Sequence, residues 1–160
     1  MIRILVLADT HIPVAARDIP SQIYREIDKV DLILHAGDIV EEVFLKKLSS
    51  LKEVKTVRGN MDSIILQKTL SEKSIINIGK FKIGLVHGSG SSANILDRIR
   101  NGLEGTDVIV FGHTHNSLNL VKEDVLFFNP GSPTDRVFAI FNSYGILEID
   151  EEIKGEIIRL

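Results

Sequence analysis

Residues 2–8, Ile-Arg-Ile-Leu-Val-Leu-Ala, carry β-branched and leucine side chains with almost no polar alternation. A strand with one wet face alternates apolar and polar residues, whereas a continuous apolar run of this length reads as a strand covered on both faces. Such a strand forces layers onto each side of its sheet. Residues 31–36, 54–58 and 108–111 read as strands of the same buried type. Helical segments fall between them. Residues 20–29 open with Pro20, which is favoured in the first helical turn. Residues 40–50 set Val40, Val43, Phe44, Leu45 and Leu48 against exposed Glu41, Glu42, Lys46 and Lys47, the pattern of an amphipathic helix. The first two thirds of the chain are therefore expected to be α/β.

Residues 61–74 read as an irregular connection. Residues 75–78 and 81–86 flank Gly79-Lys80 and suggest a hairpin. Residues 91–101 are expected to be a helix, capped by Ser91 or Ser92 and closed by Gly102. After residue 111 the character changes to short strands with turn signals: 118–122, 125–128, 137–141, 145–149 and 154–158. With 160 residues and no linker, repeat or low-complexity stretch, residues 1–160 read as a single domain.

The chain has no cysteine, which removes zinc fingers, iron–sulfur clusters and thiol nucleophiles. A net charge of −3 argues against a stable complex with nucleic acid, and there is no basic run to line a groove for a nuclease. The apolar run at residues 2–8 is too short for a signal-peptide core or a membrane span, so no membrane is expected and the cytoplasm is the expected location.

The chemistry gathers where the buried strands end. The ends carry Asp9-Thr10-His11, Gly37-Asp38, Gly59-Asn60-Met61-Asp62, His87-Gly88 and Gly112-His113-Thr114-His115. Ligands of open α/β sheets bind at the carboxyl ends of strands. Residues two apart on an extended backbone point the same way, which lets Asp9 and His11 face one site, and likewise His113 and His115. Singly, each pair has an ordinary reading as a loop or surface residue; five ends together do not. The donors are nitrogen and oxygen only, suited to Mn, Fe, Co, Ni or Zn and poorly suited to Ca or Mg. Seven donors exceed one first-row ion and suit two ions about 3.5–4 Å apart. Two divalent ions offset by Asp9, Asp38 and a hydroxide leave about one positive charge, which attracts a phosphate ester.

In this order and at these strand ends, DxH, GD, GNxD, HG and GHTH resemble the calcineurin-like metallophosphoesterases. The short chain, the Gly/Ser-rich turn after His87-Gly88, and Asn129-Pro130-Gly131-Ser132 are similar to their small branch, that of the YfcE-type phosphodiesterases and Vps29. The resemblance spans residue 2 to about residue 141. It implies a four-layer α/β/β/α sandwich of two mixed sheets. It also implies one metal on Asp9, His11, Asp38 and His115 and a second on Asp38, Asn60, His87 and His113, with Asp38 bridging and Mn the expected ion (alternatives Ni, Co, Fe and Zn). The implied reaction is P–O hydrolysis of a small phosphodiester or nucleotide-like substrate by a metal-bridging hydroxide, with Asn60 orienting phosphate. The alternative is a Vps29-like protein-binding scaffold with a weak or silent metal site. One departure stands out. Many members have His after the motif Asn, where it protonates the leaving group; here Met61 stands there, and Asp62 is the nearest polar substitute.

Other positions carry open readings. His35 should face away from Asp38 and pack or support the ligands, and Thr114 should point away from its neighbouring histidines. The 88–92 loop reads as a phosphate cradle at a helix N-terminus or as a Ser-capped turn. Arg136 reaches the site or is a solvated surface residue. Phe127, Phe128, Phe138 and Phe141 are expected to pack between layers. The apolar edges of the late strands suit a homodimer or homotetramer.

Overall fold

A computed structural model describes all of residues 1–160. The strands are β1 (Ile2–Leu7), β2 (Leu32–His35), β3 (Val54–Thr56), β4 (Lys73–Ile78), β5 (Phe81–Val86), β6 (Val108–Val110), β7 (Leu118–Lys122), β8 (Val125–Asn129), β9 (Ser143–Ile149) and β10 (Ile153–Arg159). The helices are α1 (Ser21–Ile27), α2 (Glu42–Leu51), α3 (Ile64–Thr69) and α4 (Ile95–Arg100). One sheet runs β10-β9-β1-β2-β3 and the other β4-β5-β6-β8-β7.

The apolar run of β1 is divided between two cores. Ile4, Val6 and Ala8 face the second sheet, where they meet Leu85, Val110 and Phe128. Leu5 and Leu7 face outward onto Ile23 and Ile27 of α1 and Phe44 and Leu48 of α2. On the far side of the second sheet, Ile95 and Ile99 of α4 cover Ile109 and Phe127. The result is a four-layer α/β/β/α sandwich of two mixed sheets. β1, β2 and β3 are mutually parallel, as are β5, β6 and β8, while β9 and β4 pair antiparallel with β1 and β5. Six parallel strand ends therefore deliver their loops to the site. No helix is long and apolar enough to cross a membrane.

Several expectations are corrected. Residues 61–74 contain α3, which Ser63 caps by accepting from the Leu66 N–H at 3.4 Å, and Leu66 anchors it in the outer core of the first sheet. With only six helical residues, α3 shows too little periodicity to be read. α4 starts at Ile95, later than expected. Its cap position is Asn94 with φ 57°, so neither Ser91 nor Ser92 caps it. Residues 137–141 are not a strand: Asp135 accepts the N–H groups of Val137, Phe138 and Ala139 and curls this segment into a loop. Phe138 is consequently 70% exposed instead of packed between layers, whereas Phe127 and Phe128 are buried. Phe141 is half-buried beneath the Arg159 guanidinium. The late strands do not share one sheet. β7 and β8 complete the second, and β9 and β10 return to the first.

Candidate metal centre

The ligand loops are stitched to one another before any side chain acts. Asp9 N–H donates to Gly37 O at 3.1 Å and His11 N–H to Asp38 O at 3.0 Å. Gly112 N–H donates to His87 O at 3.1 Å. The packing leaves no space for a Cβ at Gly37, Gly59 or Gly112. At Gly112 a Cβ would stand 2.9 Å from an Asp9 carboxylate oxygen, and at Gly59 it would collide with the Asp38 carboxylate. Asp9, His11, Asp38, His113 and His115 all have positive φ, at 51°, 45°, 58°, 69° and 60°. The alternation of an extended strand therefore does not aim these side chains. They are aimed by left-handed turns beyond the strands, each costing a non-glycine residue about 1–3 kcal/mol.

Each aspartate spends one oxygen on the backbone and turns the other inward. Asp9 Oδ2 accepts His113 N–H at 2.9 Å, and Asp38 Oδ1 accepts Met61 N–H at 2.7 Å. Asp9 Oδ1 then faces Nε2 of His115 at 3.5 Å, of His87 at 3.8 Å and of His11 at 3.9 Å. Asp38 Oδ2 faces Nε2 of His87 at 3.3 Å and of His11 at 3.4 Å, so it stands between two histidines from different strand ends. Asp9, His11, Asp38 and His115 bring four ligand atoms within 4.8 Å of one another. On the other side Asn60 Oδ1 lies 3.1 Å from His87 Nε2 and 3.3 Å from His113 Nδ1. The two histidines of Gly112-His113-Thr114-His115 face the same site from its two halves, His115 beside Asp9 and His113 beside Asn60. The His115 ring lies tilted beside His11 and the His113 ring edge-on to His87, with ring centres 5.1 and 5.3 Å apart.

A second set of residues orients the first. Asp135 Oδ2 accepts His115 Nδ1–H at 2.7 Å. Ser132 Oγ donates to Asp9 O at 2.7 Å, and Thr134 Oγ1 donates to Thr10 O at 2.7 Å. Asn129 Nδ2 donates to Gly112 O at 3.0 Å and to Thr114 Oγ1 at 3.1 Å, which turns Thr114 away from the ligands. All four lie at or just beyond the end of β8, a sixth strand end, and Asp135 is a site residue that neither periodicity nor motif marks. The available signal was an Asx-type turn, Asp135 to Val137 N–H, after Asn129-Pro130-Gly131-Ser132. His35 is wholly buried, with Nε2 3.0 Å from Thr10 Oγ1 and Nδ1 accepting Gly37 N–H at 3.2 Å. Asp62 is buried as well, and its two oxygens accept Val40 N–H and Gly59 N–H, both at 2.7 Å. It ties the loop of Asp38 to the loop of Asn60 and has no free oxygen facing a leaving group.

The model for the calcineurin-like phosphoesterase superfamily domain matches residues 2–152. The chain belongs to that superfamily. A probable metallophosphoesterase of Methanothermobacter thermautotrophicus is 39% identical over 158 residues, 96% of this chain and 90% of that one. Among solved structures, a Thermotoga maritima protein is 31% identical with a TM-score of 0.79, each chain covered over 100% of its length. Zinc-bound Vps29 of Entamoeba histolytica is 27% identical with a TM-score of 0.75, covering 98% of each chain.

The donor set of this calcineurin-like phosphoesterase domain fits a divalent cation. His87 Nδ1 lies 2.7 Å from Ala36 O and His113 Nε2 lies 2.8 Å from Gly90 O; a carbonyl only accepts, so both nitrogens carry hydrogen. The opposite nitrogens, Nε2 of His87 and Nδ1 of His113, face oxygens of Asp9, Asp38 or Asn60. Carboxylate and amide oxygens gathered this closely need positive charge among them, supplied by a bound cation or, in its place, by protons on the histidines. Asp9 Oδ1 and His11 Nε2 are buried without any hydrogen-bond partner. Titration reflects the same demand. Burial disfavours charge on His87, but the carboxylates of Asp38 and Asp9 outweigh it and hold His87 up at about 9. Burial is likewise outweighed at His11, which is raised beside Asp9 and Asp38, and at Asp38, which is lowered beside His87.

Of the remaining candidates, Arg136 falls outside this cluster, whereas the 88–92 loop and Met61 touch it through backbone. Arg136 is exposed, has no hydrogen-bond or ion-pair partner and lines neither hollow beside the centre. The 88–92 loop precedes a helix of six residues and is pinned from below by Arg98, whose guanidinium donates to the carbonyls of Ser89, Ser91 and Ala93. Met61 is 55% exposed at the mouth of the site.

Proposed function

We propose that the chain is a phosphodiesterase that hydrolyses P–O bonds at a dinuclear centre. Asp9, His11, Asp38 and His115 would hold one ion, and Asp38, Asn60, His87 and His113 the other. The observation that supports this most is the convergence of four histidine nitrogens, two carboxylates and the Asn60 amide oxygen on shared space. When bound, two divalent ions (Mn first; Ni, Co, Fe or Zn otherwise) supply Lewis acidity at phosphate and a water acidified to a pKa near 7 as nucleophile.

The chain's own residues do the positioning. Asp38 is the carboxylate common to both halves. Asn60 carries its amide at the exposed lip of the centre, where a phosphate oxygen enters. Asp135 and Asp62 hold His115 and the ligand loops in place. No residue of the 60–62 segment protonates the departing oxygen, because Met61 has no proton to give and both oxygens of Asp62 are engaged by backbone. General acid catalysis is worth about 10²–10⁴-fold, so its loss weighs most on alkoxide leaving groups and least on aryl ones. The reading is of a cytoplasmic enzyme acting on a small phosphodiester or nucleotide-like substrate, as a homodimer or homotetramer and without a stable nucleic-acid complex.

The test is hydrolysis of bis(4-nitrophenyl) phosphate by metal-stripped protein, before and after adding Mn, with Asp38→Ala as control. Turnover restored by metal and absent from the control is the expected result. The likeness to Vps29 favours a second reading, a protein-binding scaffold. That reading takes over if Mn, Co, Ni and Zn all fail to give turnover.

A further inference from the structure

The centre lies where two hollows of opposite character meet, and Asn60 is on the wall of both. The first, about 660 Å³, opens beyond His87 between β4, α3 and α4, and Val86 and Ile99 are its only apolar lining. Its cations are Arg58, Lys73 and Arg98. Arg58 has Glu72 3.7 Å away, and Asp97 is paired with Lys122 at 3.2 Å. Neither Lys73 nor Arg98 forms an ion pair, though the exposed Glu104 carboxylate lies within Coulombic reach of Lys73. The Lys73 ammonium donates to Asn101 O, and the Arg98 guanidinium donates only to backbone carbonyls. Carbonyl partners fix these two cations in place without neutralising them.

The second hollow, about 760 Å³, opens on the other side of the centre, past His11 and His115. Its rim is apolar and open to water: Val14 is 74% exposed, Met61 55%, Val137 78% and Phe138 70%. The Phe138 ring stands edge-on to the ring of His115, with centres 5.9 Å apart.

We infer that the substrate is an asymmetric phosphodiester: one arm apolar, aryl or short alkyl, and the other polar with a second anionic group. The phosphate sits at Asn60, the apolar arm lies against Met61, Val137 and Phe138, and the anionic arm reaches Lys73 and Arg98. This rests on the reading that the centre hydrolyses phosphodiesters. A monoester has one arm and leaves one hollow empty. A diester fills both, and its apolar arm covers part of the exposed Met61, Val137 and Phe138 side chains.

Two substrates with the same leaving group isolate the second arm: 4-nitrophenyl propyl phosphate, and the same diester with a phosphate on the far carbon of the propyl chain. With Mn-loaded protein, the charged-arm diester is expected to show a KM lower by about tenfold at similar kcat, because one charge-assisted contact in a partly open pocket is worth that much. Lys73→Ala should cut this preference to about threefold or less, and added salt should weaken it. Phe138→Ser, on an exposed loop, should raise KM for both diesters alike. Equal KM values for the pair, or a preference untouched by Lys73→Ala, would overturn the assignment. If neither diester is hydrolysed with any metal, the phosphodiesterase reading fails instead. Calorimetric binding of the same two compounds then decides the anionic subsite separately, with tighter binding of the charged-arm compound supporting it and equal binding overturning it.

Discussion

Asp135 shows how much of a site lies outside its ligands. It touches no shared space at the centre, yet it fixes which nitrogen of His115 carries hydrogen and hence which one faces Asp9. Losing such an orienting partner costs about 10–100-fold in metal affinity. Asp135→Ala is expected to weaken Mn binding by about that factor in calorimetry with the fold retained by circular dichroism, and unchanged affinity would deny it the role. Met61 offers the converse test. Met61→His places a proton donor at an exposed position beside Asn60, and turnover of an alkyl diester should rise more than that of an aryl diester. Equal response of the two would mean that leaving-group protonation does not limit the reaction. The seven ligand candidates were legible in sequence because their residue types are costly without a charge partner and stand directly after apolar runs. Asp135 and Asn129 were not, since a polar residue in a turn has many structural uses.

At the scale of elements, strand and helix identity followed from periodicity wherever an element buried a face. β1 is the clearest case; in α2 Phe44 and Leu48 are buried as read, whereas Val40 precedes the helix and Val43 is 74% exposed. The readings that failed were α3, the start of α4 and the loop at 137–141, all short segments whose form is set by a few side-chain-to-backbone hydrogen bonds. The convergence of the ligand loops was readable, but its means was not. Strand alternation suggested paired directions, whereas five left-handed turns supply them. Those turns depend on backbone approaching side chain closely, which makes Gly112 decisive. Gly112→Ala sets a Cβ 2.9 Å from Asp9 Oδ2 and from the Ala8 Cβ, so β6 and β1 must separate at the site. Mn affinity should fall by about tenfold or more and stability by about 1–3 kcal/mol in denaturant unfolding. A variant with wild-type affinity would mean the ends of the two strands are not held in register by this contact.

At the scale of the whole molecule, two sheets join a continuous apolar core to a carboxyl-end rim dense with ionisable groups, and stability and chemistry are linked through that rim. His35 sits beneath it. Burial presses His35 down from 6.5 to about 3 in the folded state. Between those values the unfolded chain takes up a proton that the folded chain refuses. Stability from this group is therefore complete above pH 6.5 and is lost as pH falls, at about 1.4 kcal/mol per pH unit. In metal-free protein, His35→Asn keeps an acceptor for Gly37 N–H but does not titrate. Its unfolding free energy should fall less steeply from pH 6 to pH 4 than wild type by about that slope, and parallel curves would contradict a buried neutral His35. The central claim concerns the two halves around Asp38. Titrating metal-stripped protein with Mn while counting bound ions and following diester turnover tests it most directly. The account predicts two ions per chain, turnover that rises with the second, and loss of both halves together in Asp38→Ala. Saturation at one ion per chain with full turnover would contradict it.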